Sequence, residues 1–215
     1  MNRQKRLTTV ALLSLATGVF SSPTLPSEAN GSVGGYVGLG EAGVQSVVYL
    51  EGDGLATVGN DTILIDQIER IYTPHLTTIP KGTTIEFLNS DPFLHNVYCF
   101  SDNVGAGIFN YAMPHFVRRG KFYTFEEPGI YVLLCNVHPK MEAFIVVTPT
   151  PYAATTDLET GEYRIDGIPP GRYRAHVWKE RMSREILDVA TKDLEVESGR
   201  HSRLNFQPIE SVAGD

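Results

Sequence analysis

Apolar residues in this chain come in short runs rich in Val, Ile, Tyr, Phe and Thr, and Gly, Pro, Asn or Asp closes almost every run. This pattern predicts strands over 44–50, 83–89, 96–100, 121–125, 130–135 and 143–148, then over 162–166, 173–178, 193–197 and 203–206. Many short strands separated by turn residues indicate a β-sandwich or barrel, so the expected class is all-β. One segment, 179–190, spaces Met182, Ile186, Leu187, Val189 and Ala190 partly like a helical stripe. Pro149 and Pro151 cannot continue a central strand and mark a boundary. Beyond it, 157–165 reads as a hairpin turning at Gly161, and Pro169-Pro170-Gly171 as a second tight turn. The six glycines within 31–43 predict a flexible or turn-rich start.

The first 29 residues have the layout of an export signal. Arg3, Lys5 and Arg6 precede an apolar run over 7–20, and Ser27-Glu28-Ala29 offers a small-x-small cleavage site. The apolar run is too short for an ordinary membrane span, though an uncleaved anchor is the competing reading. The segment carries three basic residues and one acidic one, so its removal moves the formal charge from −7 to −9. Such an acidic chain is a poor nucleic-acid binder. Its charge implies a partner with a basic complementary surface. The composition also excludes a disordered chain, a collagen-like fibre and a multi-span membrane protein. Two cysteines in 215 residues are too few for a disulfide scaffold, so each is judged by its neighbours.

Those neighbours are informative around Cys135. A predicted strand ends there, His138 follows three residues later and Met141 three beyond that, while His95 begins an earlier strand. One thiolate, two imidazoles and one thioether form a soft donor set, and a His₂Cys site with a weak axial Met selects copper for electron transfer. Thiolate softness favours Cu(I), imidazole serves both oxidation states, and a long axial contact lets the metal change state with little rearrangement. Three of the donors share one loop, so His95 must be delivered by a neighbouring strand of a rigid sandwich. Asn96, beside it, is expected to hydrogen-bond across to the ligand loop.

The Cys135-x₂-His138-x₂-Met141 loop, with Asn89-Ser90-Asp91 ahead of His95, resembles the cupredoxins and is most similar to the loop of the amicyanins. Tyr72-Thr73-Pro74, Pro80-Lys81-Gly82-Thr83 and Glu127-Pro128-Gly129 also match that family, and the resemblance spans roughly 62–148. It implies a Greek-key β-sandwich holding one mononuclear type 1 copper, with His95, Cys135 and His138 equatorial and Met141 axial. It also implies that His138 lies near the surface as the electron's exit. Pro139, with Met113 or Pro114, would form an apolar docking patch for transient redox partner proteins.

The flanks are similar to a second family, the carboxypeptidase-regulatory-like or transthyretin-like β-sandwiches. The match rests on Gly43-Val44 with Val47-Val48-Tyr49-Leu50, and on Thr156-Asp157, Gly161-Glu162-Tyr163 and Ile168-Pro169-Pro170-Gly171. The resulting plan is a signal over 1–29, first strands of the second sandwich over 30–60, a cupredoxin over 61–148, the rest of the second sandwich over 149–208, and a tail over 209–215. Similar arrangements occur in exported, methylamine-utilisation-like proteins. The combined expectation is a periplasmic or otherwise exported blue copper protein without enzyme activity, and without a membrane span once the signal is cleaved.

Other residues are weighed against plainer roles. Cys99 lies four residues after His95, and at about 3.3 Å per strand residue this is too far along to share an ion. It is expected to be a small buried hydrophobe, a disulfide to Cys135 being the alternative. His75 and His115 read as solvated strand-end and loop residues, and His176 and His201 carry no assigned role. Arg118, Arg119 and Lys121 read as a solvated basic cluster. No nucleophile elbow, phosphate loop or Ser–His–Asp pattern is present. Two other classes use the same residues: copper storage, delivery or sensing without electron transfer, and a structural β-sandwich stapled by Cys99 and Cys135.

Overall fold

A computed structural model describes residues 29–38, 44–52, 61–116, 119–180 and 190–207. The signal segment up to residue 28, all but the edges of the helical candidate 179–190, Arg118 and the tail lie outside the described residues. In chain order the strands are β1 (Gly31–Tyr36), β2 (Ser46–Glu51), β3 (Thr62–Ile68), β4 (Ile71–Thr73), β5 (Leu76–Pro80), β6 (Thr83–Phe87), β7 (His95–Ser101) and β8 (Ala106–Met113). They continue as β9 (Lys121–Phe125), β10 (Gly129–Leu134), β11 (Glu142–Thr148), β12 (Ala153–Thr155), β13 (Glu162–Ile168), β14 (Gly171–Lys179), β15 (Lys192–Val196) and β16 (His201–Arg203). Among the described residues there is no helix, as the all-β expectation requires.

Four sheets make two sandwiches. In the first, the sheet ordered β5-β11-β10-β7-β8 faces the sheet ordered β4-β3-β6-β9 across a core that includes Ile65, Ile85, Phe87, Val97, Phe125, Leu133 and Ile145. In the second, β13-β1-β16 faces β12-β2-β14-β15 across Val33, Val48, Leu50, Ile165, Val177 and Phe206. The middle strand of one of these sheets, β1, and an inner strand of the other, β2, precede the first sandwich in the chain, and their partners follow it. The first sandwich is therefore threaded between parts of the second.

The sandwiches also pack on each other. Val47 and Trp178 of the second sandwich bury against Ile130, Phe144 and Val146 of the first. This contact explains why β11 reads as a nearly unbroken apolar run. Ala143, Ile145 and Val147 fill the first core while Phe144 and Val146 face the neighbour, so both faces of the strand are covered.

Two turn expectations are refined by the topology. Gly161 does occupy the left-handed region, at φ 70°, and its N–H donates to the Asp157 carbonyl. The strands it joins, β12 and β13, belong to different sheets, so the segment crosses the sandwich instead of forming a hairpin. The glycine-rich start is likewise not loose over 31–36. There β1 is a strand paired on both sides, and a Cβ on Gly31 or Gly35 would collide with backbone oxygens of Arg200 or Leu204. Glycine there reflects close approach of chains, not freedom.

Candidate metal centre

The strands of the first sandwich deliver the expected residues to one of its ends. His95 is the first residue of β7, Cys135 directly follows β10, and Met141 directly precedes β11, which pairs with β10 throughout. The connecting segment is closed by its own backbone. The Met141 N–H donates to the His138 carbonyl at 2.9 Å, a turn whose second residue is Pro139, and the Cys135 N–H donates to the Met141 carbonyl at 3.3 Å. Cys135 and Met141 are thus held face to face at the mouth of a strand pair.

One ligand atom from each of His95, Cys135 and His138 lies within 4.8 Å of the others. The two Nδ1 atoms are 2.9 Å apart, and the Cys135 Sγ is 3.9 Å from His95 Nδ1. Metal–imidazole bonds of about 2.0 Å and metal–thiolate bonds of about 2.3 Å put donors around one ion roughly 3–4 Å apart. The donors found here have that spacing. His95 is fully buried, Cys135 and Met141 are nearly so, and His138 is half-buried.

Each imidazole is set by its surroundings. The Nε2 of His95 lies 2.8 Å from a buried Asp91 carboxylate oxygen, which orients Nδ1 toward Cys135 and His138. Asp91 also accepts the N–H groups of Glu69 and Arg70 at 2.6 and 2.8 Å. Burial alone would raise its pKa, but the Arg70 N–H, His95 and the Glu69 N–H together hold it below the ordinary carboxylate value. For His138, loss of hydration followed by the nearby charges of His95 and Arg70 pushes the pKa down. A lowered pKa favours the neutral ring, the form that can bind a metal.

A frame of hydrogen bonds joins the strands beneath the site. Asn96 Oδ1 accepts the Asn136 N–H at 2.7 Å, the cross-loop contact expected from the sequence. Tyr72, buried on β4, donates to the carbonyls of Asn96 and Leu134 at 2.8 and 3.0 Å, one residue from His95 and one from Cys135. Asn89 Nδ2 ties the His95 loop to the Phe93 and Met113 carbonyls. The supporting roles of Tyr72 and Asp91 are not visible in the sequence: Tyr72 acts on carbonyls 24 and 62 residues away, and Asp91, though four residues from His95, is held by N–H groups from the β3–β4 turn. The local signals were the family-like matches of Tyr72-Thr73-Pro74 and Asn89-Ser90-Asp91.

Solved cupredoxin structures are similar to this chain. Amicyanin from Paracoccus versutus is 23% identical over 47% of this chain and 97% of its own, with a TM-score of 0.36. A purple cupredoxin from Nitrosopumilus maritimus is 27% identical over 40% of this chain and 98% of its own, with a TM-score of 0.35. A copper-containing nitrite reductase from Thermus scotoductus SA-01 is 30% identical over 40% of this chain but 22% of its own, with a TM-score of 0.31. No family model and no curated protein matches the chain.

The remaining candidates fall elsewhere. Cys99 is buried in the first core with a free thiol, and Cys135 is also unpaired, so no disulfide links them. His75 is exposed and bonds the Glu142 carbonyl and the Glu180 carboxylate. His115 is exposed, His176 pairs with Glu51, and His201 bonds Ser32. Met113 departs from the expected surface patch. It sits opposite His95 in the β7–β8 ladder and packs into the core, leaving Phe93, Leu94 and Val137 as exposed apolar residues of the neighbouring loops.

Proposed function

We propose that this protein is a type 1 copper protein of the cupredoxin family that carries one electron at a time between redox partners. His95, Cys135, His138 and Met141 would together hold a single copper ion. The observation that carries this reading is the convergence of two Nδ1 atoms and the Cys135 sulfur within 4.8 Å beside a buried methionine. Bound there, copper would alternate between Cu(I) and Cu(II), which is the chemistry of one-electron transfer. The protein's own part is to hold the donors in place: Asp91 orients His95, Asn96 and Tyr72 brace the two strand ends, and the Pro139 turn fixes His138. Such a prearranged donor set keeps reorganisation small. The half-buried His138 brings one ligand toward the solvent.

The wider reading follows the sequence. It is an exported, periplasmic protein with a cleaved signal over 1–29, a cupredoxin over 61–148, and a transthyretin-like sandwich from 30–60 and 149–208. It has no enzyme activity of its own.

Copper titration of the mature chain with visible and EPR spectra tests the site. An intense thiolate-to-Cu(II) band is expected, lost in Cys135→Ser. A colourless protein would sink the reading. Reversible voltammetry of the loaded protein with fast self-exchange supports transfer, whereas rapid loss of the ion to a chelator marks storage or delivery instead.

A further inference from the structure

Exposed charge is distributed unevenly along the first sandwich. At the end that carries His138, Arg70 stands on the β3–β4 turn, Arg119 and Lys121 at the entry to β9, and Lys140 between His138 and Met141, all exposed. The carboxylates there are less available. Glu69 is exposed, Asp66 bonds Ser90, Asp91 is buried against His95, and Glu86 and Glu142 are half-buried. The opposite end reverses the sign. Asp61, Asp102, Glu126 and Glu127 are exposed there, with Lys81 half-buried among them. The exposed apolar residues Phe93, Leu94 and Val137 lie on the loops of the cationic end, and the Arg70 guanidinium sits 4.5 Å from the centre of the Phe93 ring.

Whole-molecule charge and local charge therefore disagree. The net charge of −7 implies a basic partner. At physiological salt, however, a charge is felt over only about 8 Å, so groups beside the docking point outweigh those on the far side of the molecule. We infer that the His138 end docks a redox protein whose contact surface has an apolar centre rimmed by Asp and Glu, with Arg70 and Lys140 pairing with that rim. This inference rests on the electron-transfer reading and adds the chemistry of the partner to it.

The test uses the full copper-loaded chain in its reduced form. It is oxidised in stopped flow by hexacyanoferrate(III), a 3− ion that takes up one electron to give the 4− iron(II) complex, or by tris(phenanthroline)cobalt(III), a 3+ ion that takes up one electron to give the 2+ cobalt(II) complex. The rate with the anionic hexacyanoferrate is expected to fall about tenfold as ionic strength rises from about 0.01 to 0.15 M, despite the protein's negative net charge. The rate with the cationic cobalt complex is expected to rise or stay flat. Arg70→Glu with Lys140→Glu should reverse the hexacyanoferrate trend, and Glu126→Lys with Glu127→Lys, at the far end, should leave it unchanged. A hexacyanoferrate rate that climbs with salt in the unaltered protein would overturn the inference, as would an equal response to the far-end pair. Co-sedimentation with phosphatidylglycerol vesicles that Lys140→Glu abolishes would overturn it in favour of an anionic membrane. A chain that takes up no copper overturns the electron-transfer reading and this inference together, while a blue protein with the opposite salt dependence overturns this inference alone.

Discussion

Cys99 and Cys135 are alike in composition and opposite in setting. Cys99 lies inside the first core, where burial pushes its thiol up to about 12, so it stays protonated and acts as a small apolar side chain. Cys135 stands at a strand end beside two imidazoles. Cys99→Ala is therefore expected to keep the visible band of the copper-loaded protein, with a modest loss of stability by chemical denaturation. Loss of the band in that variant would mean that Cys99 serves the site. A second residue-scale expectation concerns Asp157, whose Oδ1 accepts the N–H groups of Thr160 and Glu159 and the Thr160 hydroxyl at 2.8–3.0 Å. These bonds lower its pKa, so the turn's contribution to stability is complete above the ordinary carboxylate value of about 3.9 and fades as pH falls through the lower folded value. Carboxyl NMR titration should show Asp157 titrating below a model peptide, and a midpoint at or above about 3.9 would contradict the hydrogen-bond account.

At the scale of elements, the site depends on how strand ends are tied together. Tyr72 links β4 to the residue after His95 and to the residue before Cys135 through one hydroxyl. Tyr72→Phe removes the hydroxyl that the two carbonyls share and is expected to cost about 1–3 kcal/mol in the metal-free protein. It should also speed loss of copper to a chelator, measured from decay of the visible band. Unchanged stability and release would show that the strands hold their register without it. The donor set was legible in the sequence because Cys135, His138 and Met141 share one short loop and His95 sits in a distinctive Asn-rich segment. Asp91 and Tyr72 were not legible as supports, since a carboxylate and a phenol carry no signal until the fold supplies His95 and the two carbonyls. Strands β3 and β5 escaped the pattern for a related reason. Exposed Ile63, Leu64 and Ile68 make β3 apolar on its outer face, and buried Thr77 makes β5 polar on its inner one, so contrast between the faces is weak.

The whole molecule is two sandwiches in which one interrupts the other and both share an apolar seam. Trp178 is buried in that seam against Phe144, with ring centres 5.5 Å apart. Trp178→Ala is expected to cost about 3–5 kcal/mol and to split one calorimetric unfolding transition into two. A single transition with little loss would show that the sandwiches are energetically independent. The all-β class, carried by short β-branched and aromatic runs, and the soft donor set, carried by the spacing within one loop, are both written in the order of residues. Both are local properties, set by neighbouring residues. Folding added that β1 is a strand and not a loose start, that Met113 lies in the core, and that most exposed cations of the first sandwich stand at the His138 end while most of its exposed carboxylates stand at the other. These outcomes come from contacts between residues far apart in the chain, and their geometry exists only after the strands have paired.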